Sequence, residues 1–159
     1  VVSVEMFEHM RNYQKLLRRI HGFLKPKGKL FVHIFSHKFL VYPFEDKGPS
    51  DWMSREFFSG GLMPSHRLLL HFQEDLNIEK VWRISGDHYS QTSWAWLDKM
   101  DQHKAHIIDI FSKTYGHKNA TIWWQRWRIF FMSCAELFGI NHGNEWGVSH
   151  YLFVKGNSE

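Results

Sequence analysis

The first 35 residues switch from one hydrophobic period to another and back, and this constrains the fold more than any other feature of the chain. Val1-Val2-Ser3-Val4 is a short β-branched run with the character of a strand. Apolar residues then recur at Met6, Met10, Tyr13, Leu16, Leu17, Ile20 and Leu24, which is helical spacing. Pro26 and Gly28 in "KPKGK" form a turn, and "LFVHIF" (30–35) follows as a second, buried strand. Strand, helix, turn and strand make a βαβ unit, so the fold class is α/β with a parallel sheet.

Downstream, "GPSDWMSREFFSGGLMPS" (48–65) carries loop punctuation around a short helical piece beginning near Ser50. "HRLLLHFQEDL" (66–76) reads as a helix and "IEKVWRISGD" (78–87) as a strand ending at Gly86. Helical spacing runs from Thr92 to about Tyr115 and from Asn119 to Phe138, and "GVSHYLFVK" (147–155) is a last strand. With no internal repeat and no low-complexity linker, residues 1–159 read as one compact unit of three or four strands, its helical insertion at about 90–140.

Composition narrows the function. A chain of 159 residues, 43% hydrophobic, is long enough for a real core, and 14 Phe, 8 Trp and 5 Tyr make that core or a pocket aromatic-rich. The net charge of +4 is modest and the charges are interspersed, which argues against a dedicated nucleic-acid binder. A single cysteine, Cys134, excludes an intramolecular disulfide framework and suits a reducing compartment, so a cytoplasmic location is expected. No stretch approaches the ~20 apolar residues of a transmembrane helix, and no signal peptide is visible. The chain lacks an initiator Met and opens inside a strand, so an upstream portion is expected to be missing.

The chemistry-bearing residues cluster early. Glu5, Glu8 and His9 fall within five residues of one another, directly after the first strand. Acidic groups are favoured in a first helical turn by the macrodipole, which is the plainer reading. Their position favours a functional one, because open α/β sheets bind ligands beyond the carboxyl ends of strands. His33, in the middle of "LFVHIF", faces the same choice between a satisfied core histidine and a site residue. His33-x-x-x-His37 has a spacing that suits metal binding on a helix, whereas this segment is a strand, so no metal is expected. The runs "WAW" (94–96) and "WWQRW" (123–127) read as packing, and "NHGNEW" (141–146) as a polar loop ending at Trp146. No G-x-G-x-x-G or other phosphate-cradling loop is present.

Taken in order, "SVEMFEHMRNY", "LKPKGKLFVHIFSHK", "FFSGGLMPS", "SGDHYSQTSWAWLDKM" and "CAELFGINHGNEWGVSHYLFVK" resemble the C-terminal half of an S-adenosylmethionine-dependent methyltransferase. The resemblance is to the coclaurine N-methyltransferase / cyclopropane fatty-acyl-phospholipid synthase family. It implies the C-terminal part of a Rossmann-like methyltransferase domain with a helical substrate-binding insertion. The cofactor implied is S-adenosyl-L-methionine, with its main binding loop in an N-terminal half absent from this chain. In the N-methyltransferases, residues matching Glu5, Glu8 and His9 lie beside the reacting amine, which makes Glu8 and His9 an acid/base pair and Glu5 the group that orients the amine. In the cyclopropane synthases the resemblance implies a bicarbonate near Glu8, His33 and Tyr89. Cys134 matches an active-site cysteine of the synthases and is a further catalytic candidate, although direct methyl transfer needs no thiolate and the residue is expected to pack. His33, Phe35, Tyr89, Phe138 and Trp146 are the candidate substrate-binding residues. A hydrophobic amine is preferred to an unsaturated acyl lipid because Glu5 replaces the glycine of the synthases' "GMFEH". The alternatives are lipid modification and a catalytically inactive short form.

Overall fold

The computed structural model describes residues 1–156. In chain order the elements are β1 (Val2–Val4), α1 (Tyr13–Phe23), β2 (Lys29–His37), β3 (Tyr42–Pro43), α2 (Trp52–Phe57), β4 (Leu62–Met63), β5 (Asn77–Ser85), α3 (Gly86–Gln102), α4 (Lys104–Tyr115), α5 (Ala120–Gly139) and β6 (Trp146–Val154). They form two compact units: Val1–Ile84 joined by the stretch that begins at Trp146, and the helical Ser85–Glu145.

The sheet unit confirms the βαβ start and corrects the all-parallel expectation. β1 pairs parallel to β2, with Val4 opposite His33. β6 pairs antiparallel to β2 over the whole of that strand, from Lys29 opposite Val154 to His37 opposite Trp146. The strand order is β1-β2-β6-β5, so the sheet is mixed and its last strand lies inside it. Alternate residues explain why: Tyr151 and Phe153 of β6 are buried beside Leu30, Val32 and Ile34 of β2, against Leu17, Ile20 and Leu24 of α1. The C-terminal end of α1 is closed by a distant lysine, Lys155, whose Nζ donates to the carbonyls of His21 (3.0 Å) and Leu24 (2.9 Å).

Three boundaries differ from the sequence expectation, each for a local reason. The helix expected from Met6 begins only at Tyr13, because the Asn12 side chain accepts from the N–H of Lys15 (2.9 Å) and caps it there. Phe7–His9 is a separate 3-10 turn. "HRLLLHFQEDL" contains only a 3-10 turn at Leu68–His71; the Gln73 amide bonds Leu70 O (3.0 Å) and Ile78 N–H (2.9 Å), side-chain bonds that replace a helical ladder. The helix expected from Thr92 starts at Gly86, capped by Ser85 Oγ accepting from Asp87 N–H (3.2 Å), and it ends at Gln102, with His103 separating it from α4.

Within the helical unit the 123–127 run packs, as its spacing suggests, whereas Trp94 and Trp96 of the 94–96 run are exposed. Trp124 is buried, Trp123 stacks on Tyr115 at 4.1 Å, and Trp127 lies 5.7 Å from Phe131. Asn141, His142 and Gly143 take positive φ in succession. Gly143 is required there: a Cβ would collide with Ser85 Oγ and Asp87 N and lie 2.7 Å from Gly86 N, at the start of α3.

Leu17, 2% exposed at the centre of the α1–sheet contact, measures that core. Leu17→Ala is expected to cost about 2–5 kcal/mol in chemical denaturation, with an unchanged denaturant slope.

Candidate active site

The carboxyl end of β1 is shaped by a backbone that is costly for a side chain. Glu5 has φ +50°, in the left-handed region, and is held there because its N–H continues the ladder to His33 O at 3.1 Å. The same residues meet through their side chains: Glu5 Oε1 lies 3.0 Å from His33 Nε2. His33 is thus not a sealed core histidine, since about 29% of its side chain is exposed and it faces a carboxylate.

Glu8 is placed differently. It is 2% exposed within the 3-10 turn, and its Oε2 has no hydrogen-bond partner among the described residues. Its Oε1 is 3.7 Å from Nε2 of His9, too long for a hydrogen bond, while His9 is half-exposed. Burial, and secondarily the charge of Glu5, push the Glu8 carboxyl up from its ordinary 4.5 to about 8.

The loop Phe58–Gly61 helps to bury it. A Cβ on Gly61 would lie 2.7 Å from the Glu8 carbonyl oxygen, so only glycine allows this approach. Arg11 clamps the loop by donating from Nε to Gly60 O at 2.8 Å. Beneath the turn, Phe7 stacks on Tyr13, whose hydroxyl donates to Phe7 O at 3.0 Å.

An aromatic cluster adjoins His9. Phe58 stacks on its ring at 6.4 Å and meets Phe44 at 4.9 Å and Phe35 at 5.9 Å. Tyr42 packs on Phe44 at 6.2 Å and accepts a hydrogen bond from Trp146 Nε1 at 3.1 Å. Glu5, Glu8, His9, His33, Phe35 and Trp146 therefore share the sheet unit. Tyr89, Cys134 and Phe138 belong to the helical unit, where Tyr89 lies 4.4 Å from the buried Phe138, and Cys134 is half-buried on α5. His37 is used locally: its Nδ1 accepts from the N–H groups of Phe39 (3.0 Å) and Leu40 (2.8 Å).

Sequence reasoning missed Phe44, Phe58 and His150. The two phenylalanines sit among loop punctuation, where no period marks a face. His150, bonded to His33 Nδ1 at 3.0 Å, was detectable only through the β2–β6 register. The helical unit has a groove of its own, about 720 Å³, walled by Trp96, Met100, Ile107, Phe111, Trp127 and Phe131; Trp96 and Trp127 come from the runs expected to pack, and none of the candidate site residues lines it. Among the described residues no helix is long and apolar enough to cross a membrane.

Carboxyl groups beyond the end of a parallel strand lie where open α/β sheets bind ligands, and comparison with known proteins places the chain in a family. The profile of the mycolic acid cyclopropane synthetase family matches residues 1–146, and the chain belongs to that family. It is 40% identical to the (S)-coclaurine N-methyltransferase of Papaver somniferum over 98% of this chain and 45% of that enzyme. It is 32% identical to the pavine N-methyltransferase of Thalictrum flavum subsp. glaucum, over 98% of this chain and 44% of that one. The chain thus spans a little under half the length of these curated relatives. Among solved structures, a coclaurine N-methyltransferase bound to N-methylheliamine and SAH superposes with TM-score 0.88 at 36% identity, covering 97% of this chain and 47% of that one. A cyclopropane synthase of Mycobacterium tuberculosis superposes at TM-score 0.73 with 20% identity, over 97% of this chain and 54% of that one, a likeness of fold.

The raised Glu8 value has a consequence for stability. The folded state keeps the Glu8 proton that the unfolded chain releases above about 4.5, so stability is lost as pH rises from there to about 8. Glu8→Gln, which is neutral throughout, is expected to match the parent near pH 4 and exceed it by on the order of 5 kcal/mol near pH 9. Thermal unfolding across that range checks it.

Proposed function

We propose that the protein carrying this chain is an S-adenosylmethionine-dependent N-methyltransferase acting on a hydrophobic amine, and that this chain supplies the methyl-acceptor side. The observation that carries the reading is the buried Glu8 carboxyl beside His9 at the end of β1, in a chain 40% identical to a coclaurine N-methyltransferase. The residues present suit the acceptor side: two carboxyls, two imidazoles and an adjoining aromatic cluster, with no glycine-rich nucleotide loop in the sequence. Bound S-adenosylmethionine supplies an electrophilic methyl group.

The chain's own residues prepare the nucleophile. An ammonium has no lone pair, so it must lose a proton before it can be methylated. Glu5 holds the cationic amine, Glu8 takes the proton, and His9, open to solvent, passes it on. A carboxylate with an ordinary value is a poor match for an alkylammonium proton, and one raised to about 8 is a much better one. Phe35, Phe44, Phe58 and Trp146 offer apolar area and ring faces to the rest of the amine. In this reading the helical unit is the substrate-binding insertion, where Tyr89 and Phe138 contribute, and Cys134 packs. The location is cytoplasmic, in keeping with one cysteine.

In the whole protein, Glu8→Gln is expected to lower kcat by about 10²–10⁴-fold and His9→Ala by at least ~10-fold, with cofactor affinity nearly unchanged. The parent's kcat/KM should rise with pH toward about 8 as Glu8 becomes the base, a limb that Glu8→Gln flattens. Near-parental kcat in both variants would refute the assignment.

Offering the same protein a hydrophobic amine and, separately, unsaturated phospholipid vesicles tests the substrate class. Amine methylation is expected, with Trp146→Ala raising the amine KM several-fold and leaving kcat within about twofold. Methylene transfer to the vesicles without amine methylation would overturn the proposal in favour of lipid modification.

A further inference from the structure

Glu5, His33 and His150 form a line of side chains across three strands. The residue that follows β1 contributes the carboxylate, β2 the first imidazole and β6 the second. Glu5 Oε1 is 3.0 Å from His33 Nε2, and His33 Nδ1 is 3.0 Å from His150 Nε2. The register explains the second contact: His33 and His150 are directly opposite in the antiparallel β2–β6 ladder, with ring centroids 4.9 Å apart. Phe31 packs 5.1 Å from the His150 ring and limits its rotation.

The chemistry of the three groups fixes the hydrogens. The Glu5–His33 contact is an ion pair and not an aligned hydrogen bond, but two lone pairs 3.0 Å apart would repel, so His33 Nε2 carries a hydrogen. In a neutral ring His33 Nδ1 is then the acceptor, and the nitrogen 3.0 Å away must donate. We propose that His150 is a positioning residue, whose Nε2–H donates to His33 Nδ1 and fixes the His33 tautomer that presents Nε2–H to Glu5. Burial and the neighbouring His33 hold His150 below the ordinary imidazole value, which keeps it neutral near pH 7. The effect reaches the substrate through Glu5, so the kinetic part of the inference rests on the reading of Glu5 as the group that holds the amine. The left-handed backbone at Glu5 gives the positioning its use: the carboxylate of a residue held at φ +50° benefits from a second tether, and His33 supplies one at 3.0 Å beside the backbone bond at 3.1 Å.

The test compares His150→Phe, which keeps a ring and removes the donor, with His150→Gln, whose amide nitrogen reaches the position of Nε2. His150→Asn, polar but too short to reach Nδ1, is a second donor-free variant should the phenylalanine fail to fold. The whole protein is labelled with ¹⁵N-histidine, and the His33 signals are assigned with His33→Gln. In the parent, His33 Nε2 should report a protonated nitrogen and Nδ1 an unprotonated acceptor. The donor-free variants should show mixed His33 tautomers and an amine KM raised about tenfold with kcat within about twofold. His150→Gln should restore the single tautomer and bring KM within about threefold of the parent. An unchanged His33 tautomer in both donor-free variants, a doubly protonated His33 in the parent, or failure of His150→Gln to restore the signal overturns the proposal. A tautomer that responds as expected, in a protein whose parent methylates no amine, upholds the positioning role and refutes the amine reading instead.

Discussion

An unpartnered carboxyl cannot be both buried and charged without a large cost, and the end of the sheet is organised around the one at Glu8. Desolvating a charge is so unfavourable that the group keeps its proton instead, and that outcome is registered in a carboxyl raised to about 8. The burial is built from several directions. Phe7 anchors the turn in the core, Gly61 brings a loop backbone to within a Cβ's reach of the Glu8 carbonyl, and Arg11 ties that loop down. None of these residues is chemically reactive, yet each maintains the environment that raises an ordinary glutamic acid. Stability is spent on the site, as functional sites commonly require.

The legible part of the fold was the part encoded by local period. The β1–α1–β2 unit, the short helix after Gly48, the helix over 120–139 and the final strand follow from spacing and punctuation, whereas the helix expected over 92–115 is two, α3 and α4. Two failures have separate causes. "HRLLLHFQEDL" has helical spacing, but the Gln73 side chain takes backbone groups that a helix would have used. The antiparallel insertion of β6 is invisible locally, because a strand with both neighbours in the sheet shows the same apolar run whichever way it points.

The site divides along the same line. Glu5, Glu8 and His9 are neighbours in sequence, so one turn of chain at a strand end was enough to suggest them. His150 is 117 residues from His33 and is brought to it only by register. Phe44 and Phe58 come together across a loop whose course depends on the β3–β4 pairing and on the bridge between His37 and Ser65. Chemistry carried by adjacent residues can be read from residue type; chemistry carried by pairing depends on a topology that type does not encode.

Glu5 and Glu8 show how far environment can separate two identical side chains. Three residues apart on one turn, they differ in what surrounds them. Glu5 is about 30% exposed and has an imidazole at 3.0 Å, whereas Glu8 is 2% exposed and its nearest imidazole is 3.7 Å away. The first arrangement leaves a carboxyl beside an imidazole and within reach of solvent; in the second, burial makes the carboxyl hold its proton well above the ordinary carboxylate range. They are also coupled, because the Glu5 charge is one of the causes that raise Glu8. A cation drawn to Glu5 offsets that charge and lowers the cost of ionising Glu8. A cation beside Glu5 would ease the ionisation of Glu8, while burial, the larger cause, still holds that carboxyl up. Neither glutamate would do this alone, and a glycine at position 5 would remove the coupling along with the carboxylate.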